Sequence, residues 1–472
     1  MSSPTFAVPK PEPPEARVHD PLAVAVGNAS LLGVGYLMLG RRRLAVAAGV
    51  VTVVLFSVLV SVARPWFEVV MLLWWAAVIV HGWFLAGGRT NRVAVRRQRL
   101  VALGVTGSVL LVLGLLRFDA TGIERSVADA RADGDCTKVL TAQHKVWFGH
   151  RMADAPLTAR GDKMAQACHR LHTARADLTA GLLTADPLRL KAGFGILAAV
   201  LSEPGNDRTV SAVLNGFLSG LPTNSHCRTA SITDWLRHRR PSHNALDRSA
   251  DTATQTAPAA LVACGDDLMA AKDWTNARMR YQQLLDQFPG DERTAKAREG
   301  VTQATLKIEL ANVRRLLEGD TDEQPEYCSK PAKYSGAPPY GGGTNRALFY
   351  GNDHYTDKLP SSWRTTDPAH AVLVVCADDE DSGSAVETCP YRSRSSGTVS
   401  DVTFHKIAIP VKVYELRTGR LVAKRKVQID GESCPSTISY SDFGGIDTGP
   451  PDQDVTPSKA DVRDAFSPLI IR

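Results

Sequence analysis

RRRLAVAAGVVTVVLFSVLVSVA, residues 41 to 63, sets three consecutive arginines against a charge-free apolar run over 44–63. As a helix that run covers roughly 30 Å, the thickness of a bilayer's hydrocarbon core. Similar runs stand at 22–40, 66–86 and 100–116, so residues 21–117 read as a block of four transmembrane helices behind a disordered tail, 1–20. The first run is the most dilute, since Gly27, Asn28, Ser30, Gly33 and Gly35 interrupt it. The tail before it is Pro-rich and nearly neutral, unlike the basic start of a cleaved signal peptide.

The arginines give the block a direction. Arg41, Arg42 and Arg43 fill one short loop, and Arg89, Arg92, Arg96, Arg97 and Arg99 cluster around another, with no acidic residue in either. Loops rich in Lys and Arg stay in the cytoplasm. Both loops therefore read as cytoplasmic, and everything beyond Leu116 as extracytoplasmic. If the first run lies only in the interface, the N-terminus moves inside while the C-terminal part still ends outside. Within the spans the ionisable residues are Glu68 and His81, both near span ends, so the block reads as an anchor and not as a conduit. Trp74 and Trp75 are expected to pack between helices, and Gly104 and Gly107 to allow close helix contact.

Charge and cysteine follow the same division. Residues 1–117 carry +8 of the chain's net +6, which leaves −2 for the remainder and no basic surface for nucleic acid. All eight cysteines lie after residue 117: Cys136, Cys168, Cys227, Cys264, Cys328, Cys376, Cys389 and Cys434. An even number confined to one side of a membrane suits disulfide formation in an oxidising compartment. The expected pairs are Cys136–Cys168, Cys227–Cys264, Cys328–Cys376 and Cys389–Cys434, although eight cysteines allow about 105 pairings.

From 118 to 318 apolar residues recur at spacings of three and four, which predicts helices over 122–133, 136–149, 156–182, 187–202, 208–219, 228–238 and 245–253. Breaks fall at ADGD, SEPGND and GLPTNSH. Short helices without intervening strands suggest a stacked helical array. Residues 258–291 carry a more specific pattern: Gly265, Trp274, Ala277, Tyr281 and Pro289, with Leu261 where an aromatic would be usual. This stretch resembles a tetratricopeptide repeat, and with the spans ahead of it the chain resembles a tetratricopeptide-repeat-containing bacterial membrane protein. The resemblance implies that Gly265 and Ala277 allow close helix approach, that Tyr281 packs between helices, and that the array offers a surface for a protein or peptide. It covers a single repeat, which alone makes no groove.

Residues 319–345 are rich in Pro, Gly and Ser and read as a linker. Strand patterns follow at 346–350, 371–376, 385–389, 398–416 and 420–429, with Thr418-Gly419 as a hairpin turn and Pro410 marking an edge or bulge. A final helix is expected from Thr456. Residues 346–472 thus form a disulfide-bonded, mainly-β domain.

No nucleophile elbow, P-loop, zinc-protease helix or dinucleotide fingerprint is present. Cys168-His169-xx-His172 lacks a partner motif for zinc, and the Asp378–Asp381 run lacks the spacing of a calcium loop. No cofactor and no metal are expected. The expectation is a membrane-anchored, extracytoplasmic interaction or scaffold protein of the cell envelope, without catalysis. The rival is an envelope enzyme or transporter-associated component with an unrecognised site.

Overall fold

Asp20 accepts the backbone N–H groups of Leu22 and Ala23 and so starts helix α1 (Pro21–Ala29), with Pro21 at its first position. The computed structural model describes residues 19–62, 65–88, 95–319, 324–394, 396–441 and 449–472. The tail 1–18, Arg89 and Arg92 therefore lie outside the described residues. The chain divides into two compact units, Met1–Thr256 and Ala257–Arg472.

In the first unit α1 is followed by α2 (Val34–Met38), α3 (Arg42–Val62), α4 (Pro65–Leu85) and α5 (Arg96–Ala132). Three helical stretches are long and apolar enough to cross a membrane: α3, Trp66–Leu85 of α4, and α5. Val46, Val53, Leu73, Leu103 and Leu111 project outward from them, unpacked. The first run, expected to be a fourth span, is instead broken between α1 and α2. Leu31 and Gly33 both adopt left-handed backbone angles there (φ 60° and 69°). Asn28 accepts the Tyr36 N–H at the start of α2, which the break leaves without a helical partner, and donates to Val78 O of α4. Gly35 faces the Val24 carbonyl and Asn28 so closely that any Cβ would overlap them. Small and polar residues that merely looked dilute in sequence thus build a closed helix pair. Ala45 and Ala48 are buried, whereas Gly104 and Gly107, expected to allow close helix contact, meet no neighbour among the described residues.

Helix α5 does not stop at the end of its apolar run. It continues to Ala132 and becomes the first helix of the helical domain, so the expected division at 117/118 falls inside an unbroken helix. Then come α6 (Cys136–Gln143), α7 (Phe148–Ala153), α8 (Ala155–Thr184), α9 (Pro187–Leu201), α10 (Asp207–Leu218), α11 (His226–His238) and α12 (Arg248–Ala270). Asp135, Asp154, Asp186 and Ser225 cap their helices through side-chain oxygens. Helix α8 is the axis: it packs against α5, α6, α7, α9, α10 and α11. Leu171, Leu178, Leu190, Leu197, Leu214, Ile232 and Leu236 are fully buried around it, each contributing about 1.5–3 kcal/mol of transfer free energy.

The division between units falls within α12, not at 318. In the second unit α13 (Trp274–Gln287) and α14 (Thr294–Leu317) form an antiparallel pair. Strands and short helices follow: β1 (Ala347–Tyr350), α15 (Asp353–Thr356), β2 (Leu373–Ala377), β3 (Asp381–Arg392), β4 (Val399–Glu415), β5 (Arg420–Ile429), β6 (Gln453–Asp454) and α16 (Lys459–Ile470). The sheet is mixed. β1 pairs parallel with β2, and β4 takes β2 and β3 antiparallel along one side and β5 along the other, with β6 parallel to it. Pro410 sits on β4 where the neighbour changes from β3 to β2, and its carbonyl accepts Asp378 N in that gap. Its missing N–H would face the same gap, so the proline costs no ladder bond.

One face of the sheet packs against Val462, Phe466, Leu469 and Ile470 of α16 together with Leu359 and Trp363. The other packs against Val313, Leu316 and Leu317 of α14 and against Tyr327. The domain is therefore a single sheet covered on both faces, with α14 belonging to its core. Of the expected linker, 320–323 lie outside the described residues, while Tyr327, Cys328 and Ala337 are buried. The final helix is capped by Ser458, two residues later than expected, in a reciprocal pairing with Asp461.

Candidate functional site

Helices α5 and α8 diverge on one side of the helical domain and leave a cleft of ≈ 1000 Å³, closed at one end by the α9–α10 turn. Its positions repeat at helical spacing: Glu124, Val127, Ala128 and Arg131 on α5, and Arg160, Lys163, Met164, Ala167 and Arg170 on α8. Val127, Met164 and Ala167 form an apolar floor, and cations line the rim.

The turn that closes the cleft is tied down by that rim. Arg131 donates to the Pro204 carbonyl and to Asn206 Oδ1. Asn206 is buried and donates to Val200 O at 3.1 Å. Gly205 has φ +82°, a conformation that favours glycine, and a Cβ there would displace the Arg131 guanidinium, 2.5 Å away, from its place on the turn. Arg170 pairs with Glu203, and Arg208 donates to Ala132 O at 2.6 Å. Arg160 and Lys163 are exposed and make no hydrogen bond or ion pair among the described residues. Two free cations over an apolar floor suit a ligand that is acidic and partly apolar. The cleft is lined by three carboxylates, Glu124, Glu203 and Asp207, but by no histidine, cysteine or serine.

The cysteines are brought together. Cys136–Cys168, Cys328–Cys376 and Cys389–Cys434 are disulfides, with Cα separations of 5.3, 5.9 and 6.0 Å. Cys227 and Cys264 are disulfide-bonded as well, and no cysteine is free. Bonded sulfur is no thiolate ligand. The approach of Glu387 to Cys389 and Cys434 therefore makes no metal site, and neither does Cys168 beside His169 and His172. Among the acidic run 378–381, Asp378 accepts from Gln324, Glu380 from Asn352, and Asp381 pairs with Lys426.

Of the repeat residues, Ala277 and Tyr281 are buried between α12 and α14, Trp274 is half-buried and Pro289 exposed. Tyr281 is held between two glycines. A Cβ on Gly265 would lie 2.5 Å from its ring, and one on Gly300 2.6 Å from the opposite edge. Its hydroxyl donates to Asp266, which also pairs with Lys296. Burial, then Asp266, push the Tyr281 hydroxyl well above the usual tyrosine range. The sequence reading named Gly265 but missed Gly300, which stands outside the 34-residue pattern.

His81, isolated in the sequence, meets the Tyr36 hydroxyl at 2.8 Å. Trp75 donates to Ala29 O and Trp74 to Thr52, so both mid-span indoles are satisfied by neighbouring helices. The Arg131–Gly205–Asn206 turn was likewise not recognised in sequence. Its signal was the SEPGND stretch, which reads simply as a helix break.

No protein-family model, no curated protein and no solved structure matches this chain.

Proposed function

We propose that this is a membrane-anchored binding protein of the cell envelope. Its helical domain would stand outside the membrane and hold an acidic, partly apolar protein segment in the α5–α8 cleft. The observation that carries this is the pair of uncommitted cations, Arg160 and Lys163, on one face of α8 above Met164 and Ala167. A helix-in-groove partner reads such a stripe at spacings of three and four.

The orientation is supported by the cysteines and the arginines. Disulfides persist where the compartment is oxidising. Arg41–Arg43 and Arg96, Arg97 and Arg99 then lie at the cytoplasmic ends of α3 and α5. In this reading three spans cross, and the α1–α2 pair enters and leaves on the cytoplasmic side. Helix α5 would carry the domain rigidly out of the bilayer. The unit of α12, α13 and α14, read as a tetratricopeptide-like repeat, would serve as a brace to the sheet, because Tyr281 and the end of α14 are consumed in packing. Binding is favoured over catalysis because the lining holds no Ser, Cys or His and Glu203, one of its three carboxylates, is held in an ion pair with Arg170.

The test places a photo-cross-linking amino acid at Met164 of the full chain in its native membrane. The expected result is a defined protein adduct that disappears in the Arg160→Glu/Lys163→Glu variant. Adducts unchanged by the charge reversal would overturn the proposal.

A further inference from the structure

Beyond the last apolar run, the exposed Phe and Trp side chains among the described residues are Phe118, Trp147 and Phe148, at 75%, 58% and 64% exposure. Every other described Phe or Trp of that part is buried or half-buried. The three stand together because α7 is fastened to the end of the α5 span. His150 is buried, meets Asp119 Oδ2 at 2.9 Å through Nε2, and accepts Trp147 N through Nδ1. Asp154, which caps α8, pairs with Arg117 at 3.2 Å. Both anchor points on α5 lie within three residues of Leu116, where its apolar run ends. Helix α7 packs against α3 as well as α5.

The same end of the block carries Trp66 and Phe67 at the start of α4, their rings 4.0 Å apart and Trp66 also exposed. Tryptophan at the depth where apolar helices end belongs to a bilayer's interfacial belt, and Trp with Phe beside charged residues is the composition of a segment that lies in the interface. Left in water, such a cluster would be an exposed apolar patch.

We propose that Phe118, Trp147 and Phe148 form a foot that inserts into the phospholipid interface beside α5. It would set the stance of the helical domain on the membrane. This rests on the reading of α3, α4 and α5 as spans. The occupant is lipid because the patch continues the surface of those helices: Arg117 is paired with Asp154, Asp119 accepts from the buried His150, and Lys145 beside Trp147 is the cation left exposed. Lys145 and the Asp119 carboxylate offset one another in sign, which leaves no net positive charge to draw an acidic headgroup, so the foot enters zwitterionic lipid and is insensitive to salt.

The test compares the full chain with its Trp147→Phe variant in phosphatidylcholine nanodiscs, where the difference in emission is that of Trp147. The expected result is loss of this emission with lipids brominated near the glycerol end of their chains, at low and high salt alike, with no loss to aqueous iodide. Phe148→Ser should weaken the lipid quenching. Quenching of Trp147 by iodide and not by lipid overturns the foot. Trp74 and Trp75 in α4 separate the two readings. If lipids brominated at mid-chain quench them while Trp147 stays unquenched, the spans stand and the foot falls. If they too are untouched, the spanning reading falls with it.

Discussion

Arg99 reaches back 79 residues to Asp20, its Nε donating to the carboxylate at 2.5 Å, and the N–H of Val95 donates to the same carboxylate at 3.1 Å. The start of α1 therefore lies at the same end of the helical block as the start of α5. Helix α1 has nine residues, about 14 Å, which is half of what a crossing needs.

It follows that the N-terminus should share a side with Arg41–Arg43, opposite the helical domain. With one epitope fused before Met1 and another after Arg472, antibody should reach only the second on intact cells, and both after permeabilisation. Labelling of both without permeabilisation would restore a four-span topology.

Tyr281 leads to a local prediction. Gly265→Ala normally favours a helix by about 0.5–1 kcal/mol, but here the methyl would strike the Tyr281 ring. Overpacking of that kind costs about 1–3 kcal/mol, so the net effect is destabilising. Hydrogen exchange of the full chain in detergent should speed up across 262–300 and leave 155–200 unchanged. Tyr281→Phe keeps the ring and loses the bond to Asp266, and should have the smaller effect.

How much of this was visible in the sequence depends on the kind of pattern. Apolar periodicity over 156–182 and 187–202 survives as α8 and α9, because helices this long are set by local spacing and a continuous buried stripe. Alternation over 398–416 and 420–429 survives as β4 and β5 for the same reason. The break at Leu31–Gly33 was hidden. Hydropathy counts Asn28 as a polar intruder, whereas its amide ties α1 to two other helices, accepting Tyr36 N of α2 and donating to Val78 O of α4. The end of α14 was assigned to a helical array because period says nothing about which partner Val313 and Leu316 will meet. The cleft was illegible too, since it depends on how far α5 and α8 diverge, and residue spacing does not fix that angle.

The cysteines predict a thiol count. Without reductant the unfolded chain should react with no equivalents of a thiol reagent, and after reduction with eight. Replacing Cys136 and Cys168 together by serine opens a closure with a sequence separation of 32, worth about 3–4 kcal/mol in the chain-entropy account. The expected consequence is a lower protease threshold for 118–200, with the C-terminal unit unaffected. Free thiols in the protein as isolated from its native membrane would contradict the oxidising location proposed for the helical domain.

Acid should loosen the second unit at a definable place. Burial works to raise the Glu309 carboxyl, but the Ser335 N–H at 2.7 Å, the Ser335 hydroxyl and the Lys333 ammonium at 3.2 Å hold it below its ordinary value. A carboxyl lowered by folding adds stability that is fully present above its unfolded pKa, about 4.3, and is lost as pH falls through the lower folded value. Above that window the Glu309 clasp between α14 and the 333–335 segment is intact. Below it the clasp is protonated and weakened. Exchange protection of the Ser335 amide should therefore hold from neutrality down to about pH 5 and fall progressively as pH drops further. In Glu309→Gln the neutral amide still offers an oxygen to Ser335 N but no charge to Lys333. That variant should start with weaker protection near neutrality and lose little more in acid. Equal acid sensitivity in the two proteins would assign the loosening to other carboxylates, with Asp367, lowered by the Ala369 N–H and by Arg314, the next to replace.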